Sequence, residues 1–250
     1  MSFSSENIKI LDSVDSTNNY AMGLIQRREI DEKIAFFARE QTSGKGRRGK
    51  QWESEKCKNI MMSVAVQMHW LPVSRQFELS VAAALSCLDF LERYISGNLF
   101  IKWPNDIFIS DSKAGGILIE NLIKGQIWQW AVIGIGLNIN QENFDNEKFT
   151  ATSLKKETGK NYDVISLAGE LHQSVLKRTD ELRAENFGKM LEEYNQYLYA
   201  RNKWVKLKKG DTFFETKIIA VSSSGELITK DDEERTFLFD EVEFKGLSGK

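Results

Sequence analysis

The stretch Ala131-Val132-Ile133-Gly134-Ile135-Gly136-Leu137-Asn138-Ile139 decides how the fold is read. A strand sends successive side chains to opposite faces. Ala131, Ile133, Ile135, Leu137 and Ile139 then share one face, which must be buried, and Gly134, Gly136 and Asn138 share the other. Glycine within a strand weakens it and marks close approach of a ligand or of another backbone. Two glycines on one face, followed by an amide, describe the floor of a slot. A bend, a bulge or a helix packed onto the glycines are the structural alternatives.

Working outward, Lys113-Ala114-Gly115-Gly116-Ile117-Leu118 repeats the theme, with a lysine set to aim over small residues. Taken alone, that lysine reads equally as a solvated hairpin residue. Strands are expected at residues 99–103, 107–109, 116–123 and 127–140, with Pro104-Asn105-Asp106 and Gly125 as turns. Met62, Val64, Val66 and Met68 alternate with small or polar residues, giving another half-buried strand. Further upstream, strands at 9–11 and 34–39 flank a helix at 19–28, whose entry Asp15-Ser16-Thr17-Asn18 carries N-cap residues. Val81, Leu85, Leu88, Leu91 and Ile95 recur at helical spacing within a helix at 77–95, and two more helices are expected at 164–181 and 184–200. Residues 143–161 are read as a loop. After residue 200, five short strands separated by polar and glycine turns predict a small β-barrel.

Between the second and third strands lies Glu40-Gln41-Thr42-Ser43-Gly44-Lys45-Gly46-Arg47-Arg48-Gly49-Lys50-Gln51-Trp52, which interleaves three glycines with four basic residues. Backbone N–H groups next to glycine can approach a ligand closely, and Lys and Arg supply charge to phosphate or carboxylate oxygens. The bland alternative is an exposed basic loop. The segment lacks the Gly-Lys-Ser/Thr ending of a P-loop, and it is read as an anion site distinct from both the P-loop and the dinucleotide fingerprint.

The 34 Lys and Arg nearly balance the 36 Asp and Glu, for a formal charge of −2. The basic loop is therefore local, which argues against broad binding to nucleic acid or membrane surfaces. The first residues lack the pattern of a signal peptide, and no apolar run is long enough to cross a bilayer. Cys57 and Cys87 form no C-x-x-C and read as reduced thiols of a cytoplasmic protein. The two histidines are too few and too far apart for a zinc site.

Four segments stand in order: Asp15-Ser16-Thr17-Asn18; Gly44-Lys45-Gly46-Arg47-Arg48-Gly49 with Trp52; Lys102-Trp103-Pro104-Asn105-Asp106 with Lys113-Ala114-Gly115-Gly116-Ile117-Leu118; and Ile133-Gly134-Ile135-Gly136-Leu137-Asn138. This set resembles the biotin protein ligases (biotin–[acetyl-CoA-carboxylase] ligases) over essentially the whole chain. The resemblance implies an α+β fold: a mixed sheet with flanking helices, related to class II aminoacyl-tRNA synthetases and lipoate ligases, over residues 1–200, and an SH3-like β-barrel over 201–250. It implies that biotin and ATP form biotinyl-5′-AMP and that a lysine of a biotin carboxyl carrier domain then takes the biotinyl group. Carried over by position, Ser16, Thr17, Asn18 and Gln41 would bind biotin at its ureido end, and Gly116 and Gly134 would line its slot. Gly44, Lys45, Gly46, Arg47 and Arg48 would close over the adenylate, with Arg48 on the nucleotide side. Lys113 would lie at the carboxylate and α-phosphate, and Trp52, Asn59, Asn105, Asp106 and Asn138 on the nucleotide side. Lys45 departs from the arginine frequent at that position in the family, which keeps charge but loses bidentate geometry. The early position of Ser16 leaves no room for an N-terminal helix-turn-helix, so a monofunctional ligase without DNA binding is expected.

The chemistry is consistent with this set. Attack of a carboxylate on the α-phosphate brings two anions together, and preorganised cations offset the repulsion; Lys113 and Arg47 are the candidates. Mg²⁺ would bridge the phosphates, with Asp106 as its protein-side partner or merely a turn cap. No nucleophilic side chain is needed, because the adenylate is itself activated. A lipoate ligase or octanoyltransferase is the nearest rival, and a non-catalytic effector-binding module or a nucleic-acid binder the more distant ones. An exposed sheet edge would suit a homodimer.

Overall fold

The computed structural model describes residues 7–144, 150–184 and 186–247. Seven strands form the main sheet: β1 (Ile8–Leu11), β2 (Ile34–Ala38), β3 (Ile60–Gln67), β4 (Leu99–Lys102), β5 (Asp106–Ile109), β6 (Ser112–Lys124) and β7 (Ile127–Leu137). Their spatial order is β1-β2-β3-β7-β6-β5-β4, with β1 and β2 parallel and every other pair antiparallel, so the sheet is mixed.

The predicted face of β7 is the core face: Ala131, Ile133, Ile135 and Leu137 are all buried against Met62, Val64 and Val66 of the neighbouring strand. Helices α2 (Gln76–Leu91) and α4 (Val164–Arg183) pack on this side of the sheet, α2 over β4 to β6 and α4 over β3, and α4 and α5 (Phe187–Gln196) in turn pack on α2. That double cover explains why α2 is apolar almost all round, as a helix buried between layers must be. Asp163 caps α4 by accepting from the Ile165 N–H at 3.1 Å. Arg178 ties the helical layer together, reaching Asp89 of α2 and Glu193 of α5 at 2.6 Å each.

On the opposite face, α1 (Thr17–Gln26) covers one end of the sheet with a smaller core of Ala21, Leu24 and Ile25 against Phe36, Ala65 and Val132. Beyond Val132 the glycine face of β7 is met by Asn18, from the first turn of α1, and by Trp52.

Residues 143–161, expected to be loop, include a short helix α3 (Leu154–Thr158), capped by Ser153 and ended by Gly159 at φ +72°. Its apolar anchor, Leu154, is fully buried. The part of that expectation that falls on residues 145–149 lies outside the described residues.

The C-terminal strands β8 (Trp204–Lys209), β9 (Thr212–Val221), β10 (Leu227–Lys230), β11 (Glu234–Phe237) and β12 (Glu243–Leu247) form one antiparallel sheet in the order β11-β10-β9-β8-β12. The expected barrel is not closed: among the described residues β11 and β12 are the two edges and share no ladder. The physical reason lies at residues 238–242. The strand expected at 236–239 ends at Phe237, and Phe239 leaves the sheet to pack 6.0 Å from Phe77 and 5.5 Å from Trp103 of the main body.

Candidate active site

A cavity of about 1170 Å³ opens between the bare face of the main sheet and the C-terminal sheet. Its floor is the glycine face of β7. A Cβ at Gly134 would collide with the Asn18 carboxamide, and one at Gly136 with the Trp52 indole. Both glycines are therefore required by close approach, with side chains of this chain seated on them beside the cavity.

A bulge assembles the charged centre. Strand alternation from Gly116 would put Lys113 on the opposite face, yet the pairing shifts between Ile107 and Phe108, so that Phe108 faces Lys113 while Ile107 faces Gly115. One extra residue on β6 restores the parity. Lys113 and Gly116 then both face the cavity: the Lys113 ammonium donates to Asp106 Oδ1 at 2.6 Å, and a Cβ at Gly116 would lie 3.5 Å from that same oxygen. The ammonium also stands 6.0 Å over the Trp52 ring. Trp52 Nε1 is buried without an acceptor, an unmet donor that a ligand oxygen would satisfy.

The other end of the slot is polar and buried. Gln41 Oε1 accepts from the Thr17 N–H at 2.8 Å and lies 3.0 Å from its hydroxyl. Ser63 Oγ lies 2.7 Å from Thr17 Oγ1 and 2.6 Å from Asn18 Oδ1. Two hydroxyl protons serve these three oxygen–oxygen contacts, so the array is acceptor-rich and suited to incoming N–H donors. Asn18 is oriented by donating to Glu120 Oε2 at 2.8 Å and to the Leu118 carbonyl at 3.2 Å. Ser16 is the N-cap of α1 and makes no side-chain cap bond, which leaves its hydroxyl at the cavity wall.

The Gly44–Gly49 segment borders the cavity as a compact loop. Gly44 is required by backbone crowding rather than by a ligand, since its Cβ would strike the Trp52 carbonyl; Trp52 N–H donates to the Gly44 carbonyl at 2.8 Å, closing the loop. The glycines have the G-x-G-x-x-G spacing, but the loop joins two antiparallel strands and opens no α-helix. Its context is thus not that of a dinucleotide fold. Lys45 faces Glu120 at 3.6 Å. Arg47 is two-thirds buried: it lies 5.3 Å over Phe239, reaches Asn105 Oδ1 at 3.4 Å, and is drawn below its ordinary pKa by burial, opposed by the charge of Asp240. Arg48 donates to Asp240 at 2.7 Å.

Most of the expected residues therefore meet in one place: Ser16, Thr17, Asn18, Gln41, Lys45, Gly46, Arg47, Arg48, Trp52, Asn105, Asp106, Lys113, Gly116, Gly134 and Asn138 all line the cavity. Gly44 lines only an adjoining groove. Asn59 is not at the cavity. It is fully buried, donates to Ser54 Oγ and Gln141 Oε1, and accepts from the Ile139 N–H at 2.9 Å, so it braces the chain behind the site. Asn138 is turned partly away, donating to the Thr152 carbonyl at 3.0 Å. Sequence reasoning missed Ser63, which has only an alternation pattern to mark it, and Asp240, which no local motif marks. Lys102 stands in the sequence only as the first residue of a turn motif. The Lys102 ammonium lies 4.3 Å from the Phe244 ring centre and 4.9 Å from that of Phe108, at the cavity wall.

Comparison with known proteins follows the same lines. Residues 10–138 match the model of the Biotin/lipoate A/B protein ligase family. The chain belongs to that family. The bifunctional ligase/repressor BirA of Bacillus spizizenii is 27% identical over 225 residues, which are 89% of this chain and 69% of BirA. The biotin–[acetyl-CoA-carboxylase] ligase of Mycobacterium tuberculosis is 34% identical over 153 residues, 58% of this chain and 54% of its own. Among solved structures, the biotin protein ligase of Aquifex aeolicus in complex with biotin and ATP superposes with a TM-score of 0.81 at 23% identity, covering 96% of this chain and 99% of that one.

Proposed function

We propose that this chain is a biotin protein ligase, which joins biotin to AMP and passes the biotinyl group to a lysine of a carboxyl carrier domain. The observation that carries this over a lipoate ligase is the buried, acceptor-rich array of Thr17, Asn18, Gln41 and Ser63. A ureido ring brings two N–H donors and one carbonyl to such an array. A dithiolane or alkyl chain brings none, and would leave the spare acceptor capacity of this array facing apolar atoms, which disfavours it against a ureido ring.

With the ring at that end, the valeryl chain runs past the Asn18 carboxamide toward Gly116 and Lys113. A carboxylate oxygen attacks the α-phosphorus of ATP; a new P–O bond forms and the bond to pyrophosphate breaks. Lys113 and Arg47 offset the charge that accumulates there. The acceptor amine then attacks the acyl carbon and AMP leaves. The loop around Arg47 and the Trp52 indole exclude water from the mixed anhydride between the two steps. Arg48, Asn105 and Asn138 serve the nucleotide side.

Among the described residues no cluster of three or more His, Cys, Asp or Glu is poised to hold a metal. Mg²⁺ fits the site only in the manner usual for it, one carboxylate plus phosphate oxygens. Asp106 would hold it, and the ion would supply charge neutralisation on the phosphates. The same proposal takes residues 1–200 as the catalytic domain, of the class II synthetase type, and 201–250 as an SH3-like unit.

Incubating the protein with labelled biotin, ATP and a biotin carboxyl carrier domain tests the reading. Pyrophosphate release and label on one carrier lysine are expected with biotin. Turnover with lipoate and none with biotin would transfer the assignment to the rival.

A further inference from the structure

The cationic loop is held from outside the main sheet. Phe239 and Asp240 form a corner between β11 and β12, set by a turn in which Glu241 N–H donates to the Leu238 carbonyl at 3.1 Å. The corner is anchored to the catalytic body. Phe239 packs on Phe77 and Trp103, and Trp103 Nε1 donates to the Gly225 carbonyl of the same C-terminal sheet at 2.9 Å. From this fixed position it meets both loop arginines. The Phe239 ring lies beneath the Arg47 guanidinium at 5.3 Å. Asp240 Oδ1 accepts from Arg48 Nε at 2.7 Å and stands 3.9 Å from Arg47 Nη2, and the Phe239 carbonyl accepts from Arg48 Nη2 at 3.2 Å. Arg48 sits at φ 57°, ψ 36°, a left-handed conformation that a non-glycine residue adopts only when its surroundings hold it there.

We infer that the Phe239–Asp240 corner is the seat that keeps the loop closed over the acyl-adenylate, so that Asp240 is a positioning residue for Arg47 and Arg48. The inference rests on the ligase reading for its chemistry and assigns the C-terminal sheet a part in retaining the intermediate. An exposed ion pair alone is worth little. Here it acts together with a backbone acceptor and an aromatic face on adjacent residues, and it fixes from outside a loop otherwise closed by its own backbone bonds and by the Lys45–Glu120 and Arg47–Asn105 contacts.

The test compares wild type with Asp240→Asn, Asp240→Glu and the charge swap Arg48→Asp with Asp240→Arg. Amide hydrogen exchange over residues 44–52 is followed in the ligand-free protein. Release of radiolabelled biotinyl-AMP is timed after its formation in situ, alongside the rate of that formation. Asp240→Asn is expected to speed exchange of the loop and to accelerate release about two- to fivefold, the range of a weak ion pair, with formation slowed by a smaller factor. The glutamate variant and the swap should recover part of both effects, and the difference should shrink at high salt. Unaltered exchange, unaltered release, or a uniform fall in formation, retention and melting temperature would overturn the seat. Should wild type form no biotinyl-AMP, the ligase reading fails, and the exchange measurement by itself decides whether the corner holds the loop.

Discussion

At the scale of single residues, the site depends on two kinds of position, those that carry charge and those that must carry nothing. Lys113 is the first kind. Its ammonium stands between Asp106 and the indole of Trp52, where an attacked phosphate would gather charge. Lys113→Ala is expected to slow adenylate formation by about 10²–10³-fold, the size seen when one preorganised donor is lost. Biotin affinity should weaken by less than tenfold. Pyrophosphate exchange and titration calorimetry separate the two, and equal losses would reduce Lys113 to a ligand anchor. Arg47→Gly should instead loosen retention of the intermediate and label nearby lysines indiscriminately, as read by mass spectrometry of the modified sites. Gly134 is the second kind. Gly134→Ala drives a methyl into Asn18, and overpacking of that sort costs about 1–3 kcal/mol. Since Asn18 belongs to the polar array, the loss should appear as weaker biotin binding of about tenfold or more, a change that calorimetry would detect.

At the scale of elements, the helical layer is held by one nearly buried guanidinium. Arg178 of α4 bonds Asp89 of α2 and Glu193 of α5, and these carboxylates hold its pKa above the ordinary value, against the opposing effect of burial. Arg178→Leu would leave the carboxylates of Asp89, Glu181 and Glu193 gathered without the guanidinium that all three contact. The expected destabilisation is about 2–4 kcal/mol, measured by urea unfolding, with the site untouched because these helices lie on the far face of the sheet. The bulge in the β5–β6 ladder is the other decisive element, since it alone turns Lys113 toward Asp106.

At the scale of the molecule, stability should depend on pH through His172. It is buried in α4, its Nε2 has no hydrogen-bond partner, and burial lowers its pKa to about 4 from an ordinary 6.5. The folded state thus keeps the imidazole neutral while the unfolded chain takes up a proton below about 6.5. The unfolded state then binds more protons, so stability falls as pH drops from 6.5 toward 4 and levels off below that. The expected loss is on the order of 3 kcal/mol. Chemical denaturation across this range should show a flatter slope for His172→Leu; an identical slope would place the pH sensitivity elsewhere.

The strands and long helices were legible in the sequence because alternation and helical spacing are local consequences of burying one face. The buried face of β7 and the glycines opposite it follow from that rule alone, whereas the roles of Thr17, Gln41, Arg47 and Trp52 were implied by the resemblance to the biotin protein ligases. Three things were not legible. The bulge that restores Lys113 to the cavity face depends on how β6 pairs with β5, and parity by itself gives the wrong side. Asn59 reads like a site amide but is consumed by Ser54, Gln141 and Ile139. The open C-terminal sheet and its Phe239–Asp240 corner follow from Phe239 finding Phe77 and Trp103, residues more than a hundred positions away. Local periodicity determines which face each element hides. Long-range pairing and packing decide which side chains from distant segments finally meet, because those choices are made by contacts that no window of sequence contains.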